Sequence, residues 1–301
     1  MQKATFITSS PMITPMIERL HAKGLLAGVF FVSENISPQL SEHLKQRGVK
    51  WYAAASLEMD KLFSMLAAWD SQYVLTYQYQ LDGSTDIPRH LSMFQLHLSD
   101  CYLSNLDLIL FEQIRQGAST IPIRITSYPG NDLVLHVDVE ILPYETTGRL
   151  YNKTIEVLSY TVIELSSMLE QSDKSLPELT GATYSPAPTV LTMSEEQLRI
   201  NWCQQNAGQI VDLCRAANPY WGGARIQVAQ MTCQLLQVSP SDMPTYGVPA
   251  GTILCVSIDQ GLVVALMDEA VRIDVVACPE GVFDGYRFAQ MVGLQAGILL
   301  T

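Results

Sequence analysis

The sequence predicts an α/β fold: a doubly wound, mostly parallel sheet followed by a smaller strand-rich domain. Three observations predict it. Strand, helix and strand succeed one another within the first 33 residues, a βαβ unit that requires a parallel sheet. A stretch at 172–192 carries Pro177, Pro186 and Pro188 and has no hydrophobic period, which marks a linker. Beyond residue 225 short apolar runs are separated by the turn segments GVPAGT, DQG and DEA, the pattern of a small β-barrel.

Each element follows in order. ATFIT opens a first buried strand, residues 11–23 a helix, and LAGVFFVS (26–33) the second strand. SPQLSEHLKQRG reads as a helix, KWYAAA as a strand, and LEMDKLFSMLAAW as a helix with Leu57, Leu62, Met65, Leu66 and Trp69 on one face. YVLTYQY (73–79) and MFQLHL (93–98) are the next strands. A helix over 104–117, strands at 121–128 and 132–141 around the turn PGN, and a long helix over 146–171 complete the first domain. After the linker, residues 194–217 read as one helix, begun by a Ser194 cap with Gln197 three residues on. The expected division is an α/β domain over 1–180, a linker over 181–194 and a barrel domain over 195–301.

A chain of 301 residues with 48% hydrophobic and 16% charged residues builds its own core and falls outside the disordered class. The longest apolar run, LLAGVFFV (25–32), is strand-sized and well short of the roughly 20 residues of a membrane span. The N-terminal MQKATFITSS lacks a signal-peptide layout. Cysteines at 101, 203, 214, 233, 255 and 278 form no C-x-x-C pair and no Cys/His metal spacing. They read as reduced, mostly buried thiols in a cytoplasmic protein, with no metal expected. The net charge of −12 disfavours nucleic acid, and residues 201–301 hold four Arg, no Lys and eight Asp or Glu. The TSS after the first strand is no G-x-G-x-x-G, so dinucleotide binding has no support.

A series of ordered segments carries a resemblance. ATY at 182–184, INW at 200–202, LCRAANPYWGGA at 213–224, VPAGTIL at 248–254, GLVVALMDEAVRI at 261–273 and FAQMVGLQAGILL at 288–300 follow one another, with VEILPYETTGRLYNKT (139–154) upstream. In order and spacing these resemble the formyltransferase family, which includes methionyl-tRNA formyltransferase and the sugar and siderophore N-formyltransferases. The resemblance implies a Rossmann-like N-terminal domain, an OB-like C-terminal barrel, and transfer of a formyl group from 10-formyltetrahydrofolate to an amine.

The family's catalytic set is an Asn and a His two residues apart at a strand end, with an Asp about 35 residues later. An amide donor and a protonated imidazole there stabilise the oxyanion of the tetrahedral intermediate, and the carboxylate fixes the His and moves the proton off the amine. In this sequence the His matches at His97, the Asn position is Gln95, and the Asp position is Pro129, with Asp132 three residues farther on. The loop after the His reads SDCYLSNL (99–106), without the family's Leu-Pro and Arg-Gly. The candidate catalytic residues are therefore His97, Gln95 and Asp132, and the resemblance assigns folate contact to Gln80, Leu81 and Pro129.

Plainer alternatives stand beside these. His97 is equally a buried strand histidine satisfied by a backbone partner, and Asp132 a turn carboxylate. His136 reads as a solvent-side residue of a sheet edge. Cys101 with His97 is a weak nucleophile pair for want of an orienting third group, and NPYWGGA is first a structural turn and secondly a possible pocket wall through Tyr220 and Trp221. The expected function is a diverged formyltransferase-like protein, a pseudoenzyme candidate with the activity lost or repurposed. The alternative is an active N-formyltransferase on a small amine, an amino sugar or a carrier-bound amino acid. Partners would be a small-molecule amine or a protein.

Overall fold

The computed structural model describes residues 2–33, 36–79, 91–99, 105–171, 183–184 and 190–300. The chain divides into two compact units. The first holds 1–109, 120–140 and 152–191; the second holds 110–119, 141–151 and 192–301.

The first unit is built on a seven-stranded sheet. Its strands are β1 (Ala4–Thr8), β2 (Leu26–Val32), β3 (Trp51–Ala54), β4 (Tyr73–Tyr77), β5 (Ser92–Leu98), β6 (Thr120–Tyr128) and β7 (Leu133–Glu140), in the order β3-β2-β1-β4-β5-β6-β7. The pairs from β3 to β5 are parallel. β6 and β7 then add antiparallel, each to its predecessor. The reversal of strand order at β1 is the doubly wound arrangement expected from the βαβ reading, with its crevice beyond the carboxyl ends of the parallel strands. β1 and β4 are buried at every residue, as strands covered on both faces must be.

Helices α1 (Thr14–Ala22), α2 (Pro38–Gln46), α3 (Met59–Ala68) and α4 (Leu106–Arg115) connect the strands, and α5 (Thr147–Gln171) follows β7. α2 starts where Ser37 accepts a hydrogen bond from the Leu40 N–H, with Pro38 at the first helical position, a fixed-φ residue where no donor is needed. α3 turns Leu62 and Leu66 into a cluster with Ile7, Phe30, Val74 and Met93. Gly28 in β2 lies directly against the Trp69 indole that closes α3, so that a Cβ at position 28 would lie 2.2 Å from its Cε3.

The second unit carries an antiparallel sheet of six strands: β8 (Ala224–Val228), β9 (Met231–Ser241), β10 (Ile253–Ser257), β11 (Gly261–Ala265), β12 (Ala270–Cys278) and β13 (Gly281–Asp284). They pair along the path β10-β11-β12-β9-β8, with β13 on β12. Where a closed barrel was expected, the described residues form no ladder between β8 and β10, and we describe the element as an antiparallel sheet. It is accompanied by α6 (Ala207–Ala217) and α7 (Gly285–Val292).

The single helix expected over 194–217 is two elements. A short 3-10 turn, Glu195–Leu198, carries the Ser194–Gln197 capping box, and α6 carries a second box formed by Asn206 and Gln209. Between them Arg199 is extended and the Ile200 N–H bonds to the Arg225 carbonyl. A second cap preceded by a backbone partner in β8 outweighs the continuous apolar pattern. After α6 the NPYWGGA turn reverses the chain: Gly222 and Gly223 have φ of 78° and 107°, and a Cβ on Gly223 would lie 2.5 Å from the Leu235 carbonyl oxygen. That requires glycine.

The upstream pieces of the second unit are fastened into it. Phe111 meets Trp221 edge-on at 4.9 Å between ring centres. Thr147 Oγ1 donates to the Ala216 carbonyl at 2.5 Å, and Arg215 donates to the Leu142 and Glu145 carbonyls at 3.1 and 3.2 Å.

Overpacking at the β2–α3 contact supplies a stability test. Gly28→Ala should lower the unfolding free energy by about 1–3 kcal/mol, read from the urea midpoint, and Trp69→Leu in the same chain should recover part of the loss. An unchanged midpoint for Gly28→Ala would contradict the packing.

Candidate functional site

The first unit gathers polar groups at the carboxyl end of β5, beside β4 and β6. Residues directly opposite on neighbouring strands share a face of the sheet. Thr76, Gln95 and Thr126 form one such row across β4, β5 and β6. His97, Arg124 and His136 form the next across β5, β6 and β7. The spacing of two between Gln95 and His97 therefore puts both on one face, as the period of a strand dictates.

The strand ends are bent. Gln78, just past β4, and Ser99, just past β5, have φ of 52° and 56°, a left-handed conformation that L side chains adopt at some cost. Ser9 Oγ donates to the Gln78 carbonyl at 2.5 Å, and the Ser99 N–H donates to the Pro122 carbonyl at 2.9 Å. These bonds tie the carboxyl end of β1 to that of β4, and the carboxyl end of β5 to β6.

His97 is 3% exposed. Its Nε2 lies 3.0 Å from Thr126 Oγ1. The Tyr184 ring stands edge-on to the imidazole at 5.2 Å, its hydroxyl donates to the Ser99 carbonyl at 3.3 Å, and the Arg124 guanidinium lies 4.5 Å over the same ring. Tyr184 is placed by backbone pairing: Thr183 bridges to Asp132, and the Tyr184 N–H donates to the Asn131 carbonyl at 3.0 Å. The residue pair 183–184 is thus held to the β6–β7 hairpin and covers the histidine.

Burial, and secondarily the Arg124 positive charge, push the His97 pKa down to about 4. Both causes disfavour the cation. At neutral pH the imidazole is uncharged, able to exchange a hydrogen bond with Thr126 and unable to offer a positive charge to an oxyanion.

Asp132 sits at the β6–β7 turn. Ser127 Oγ donates to its carboxylate at 3.2 Å and accepts from the Asp132 N–H at 3.1 Å, and the Ser127 N–H donates to the Asp132 carbonyl at 2.9 Å. Pro129 precedes it in the same turn, after a cis peptide bond with Tyr128. The structure thus brings Gln95 and His97 together on β5 and links the Asp132 turn to His97 through Thr183 and Tyr184. Gln80, Leu81 and Cys101 lie outside the described residues. His136 is partly exposed on the edge strand β7, 3.3 Å from Asp138, as its alternating pattern indicated.

Sequence reasoning missed three residues of this arrangement: Thr126, Arg124 and Tyr184. Thr126 and Arg124 alternate in IPIRITSY, a polar-in-apolar pattern that marks one face of β6, and Tyr184 lies in the ATY segment quoted for the family. Among the described residues no group of three or more His, Cys, Asp or Glu is placed to hold a metal ion, and no helix is long and apolar enough to cross a membrane.

Comparison with known proteins supports the resemblance in two ways. Residues 192–281 match the family model described as the formyl transferase C-terminal domain. In fold, the chain is similar to WlaRD, a sugar 3N-formyl transferase whose structure was solved in the presence of dTDP and 5-N-formyl-THF: the TM-score is 0.53 at 9% identity, over 90% of this chain and 96% of that one. It is also similar to HypX from Aquifex aeolicus in complex with tetrahydrofolic acid, with a TM-score of 0.50 at 14% identity over 96% of this chain. The match covers 47% of that chain, so this chain spans about half the length of HypX. No curated protein sequence matches. The fold is that of the formyltransferases, and the resemblance read from the sequence holds at that level.

The depressed pKa of His97 ties the site to stability. Between about pH 6.5 and pH 4 the unfolded chain binds a proton at His97 that the folded chain does not, so the stabilisation from this residue is present above pH 6.5 and is lost as pH falls toward 4. Wild type should lose up to about 3 kcal/mol more than His97→Gln across that window, measured by chemical denaturation at fixed pH. Tyr184→Ala should let the imidazole titrate closer to 6.5 by NMR. Equal pH slopes for wild type and His97→Gln would refute the assignment.

Proposed function

We propose that this chain is a diverged formyltransferase-like protein in which conventional N-formyl transfer from 10-formyltetrahydrofolate has been lost or repurposed, the crevice beyond β4 and β5 now serving to bind a small molecule or a partner protein. The observation that carries the reading is the buried, uncharged His97 under Tyr184.

Formyl transfer to an amine passes through a tetrahedral oxyanion. Its rate depends on donors aimed at that oxygen and on a group that removes the amine proton, and losing one donor typically costs 10²–10³ in rate. Members of such a set acting as a unit do not replace one another. Gln95 carries its amide one methylene farther from the backbone than the family's Asn, a displacement large enough to matter where angstrom-scale misplacement already costs about 10²-fold. Pro129 has no acid, and the Asp132 carboxylate accepts from Ser127.

A second reading, an active transferase on a small amine or amino sugar, draws support from the strand-end place of His97 and from the tetrahydrofolic acid held by the HypX structure. A tRNA acceptor is disfavoured by the acidic balance of residues 201–301.

Calorimetry with a stable 10-formyltetrahydrofolate analogue, paired with an assay for formylated amine on wild type and His97→Ala, separates the two. We expect no turnover, and a His97→Ala effect on stability alone. Turnover of a small amine by wild type that His97→Ala abolishes would overturn the proposal and establish the diverged enzyme.

A further inference from the structure

Two cysteines meet across the sheet of the second unit. β9 and β12 run antiparallel, with Val276 opposite Leu235 and Ala277 opposite Gln234. One step farther in that register are Cys278, the last residue of β12, and Cys233, the third residue of β9. Directly opposed residues project to the same face with Cβ atoms about 4.5–5.5 Å apart, and a disulfide requires about 3.5–4.5 Å. The difference is of the order of 1 Å, at the ends of two strands, where a ladder gives most readily.

The two thiols differ in surroundings. Both are free; Cys233 is buried and Cys278 is half-buried. Burial pushes the Cys233 thiol up to about 11, with further contributions from Cys278 and Glu280, so Cys278 is near enough to be felt. A buried thiol is a poor first nucleophile. The half-buried partner is the one a small reagent can reach.

We propose that Cys278 and Cys233 are a redox pair that low-molecular-weight disulfides of the glutathione type convert to an intramolecular disulfide joining β12 to β9. The Cys278 thiolate attacks one sulfur of the small disulfide. The S–S bond breaks, the first small thiol leaves with the electron pair and takes up the proton that Cys278 released, and a mixed disulfide remains on Cys278. Cys233 then gives up its proton and attacks Cys278 Sγ, expelling the second small thiol, which is protonated in turn. Two protein thiols are oxidised by two electrons, and one small disulfide is reduced to two thiols.

The full chain, kept in native buffer, is exposed to oxidised glutathione, with intact mass and non-reducing peptide mapping as the readouts. The expected result is a crosslinked peptide joining Cys233 to Cys278, lighter by two hydrogens than the reduced pair, with no glutathione retained on either residue, whatever adduct the exposed Cys203 carries. Cys278→Ser should abolish the crosslink, whereas Cys255→Ser, altered elsewhere on the sheet, should form it as wild type does; circular dichroism verifies that each variant is folded. A persistent glutathione adduct on Cys278 with Cys233 still reduced, crosslinks to other cysteines, or two unreacted thiols would each overturn the proposal.

Discussion

The antiparallel addition of β6 to β5 is the constraint on which the candidate site depends. Up to β5 the sheet is parallel, so the carboxyl ends of its strands lie along one edge. Because β6 returns against β5, the carboxyl end of β5 is faced by the first half of β6, and a polar side chain there has a cross-strand neighbour. His97 is opposite Arg124 and within hydrogen-bond reach of Thr126 for that reason. The β6–β7 turn then supplies the backbone groups, at Asn131 and Asp132, that hold residues 183–184, and Tyr184 completes the enclosure. One register decides where the histidine sits, what it bonds to and what covers it.

That enclosure changes what kind of group the histidine is. An imidazole exposed in a crevice near its ordinary pKa is poised to pass protons. One enclosed beside a guanidinium is an uncharged polar group in a packed layer, bonded across the sheet to Thr126. Gln78 and Ser99, the residues that follow β4 and β5 directly, both take up left-handed backbone.

Much of the fold was legible because parallel strands covered on both faces read as continuous apolar runs, and LAGVFFV or YVLTY admits little else. The PGN hairpin and the glycine pair after Trp221 were legible for a local reason, since turns depend on the residues within them. The helix at 194–217 was misjudged where local signals competed: Asn206 and Gln209 form as good a start as Ser194 and Gln197, and the partner that breaks the run, Arg225, lies farther along the chain. The site was legible only in part. His97 and Gln95 stand out by spacing, but Thr126 and Tyr184 reach His97 from 29 and 87 positions away, through strand register and a returning segment that no single stretch encodes. Nor does a cysteine at 233 announce one at 278 until β9 and β12 are aligned.

The second unit takes its residues from three separate stretches of chain, and this bears on the order in which the molecule is made. During synthesis the stretches 110–119 and 141–151 leave the ribosome well before Trp221, Arg215 and the Ala216 carbonyl, the groups they pack against or bond to. Phe111 and Thr147 therefore wait, with their partners unmade, while about 70 to 110 further residues are added, several seconds or more at ordinary rates of elongation. The first unit's sheet, complete by residue 140, can form during that interval. The second cannot close until residues 192–301 have followed, so its two early pieces are made long before the stretch that receives them.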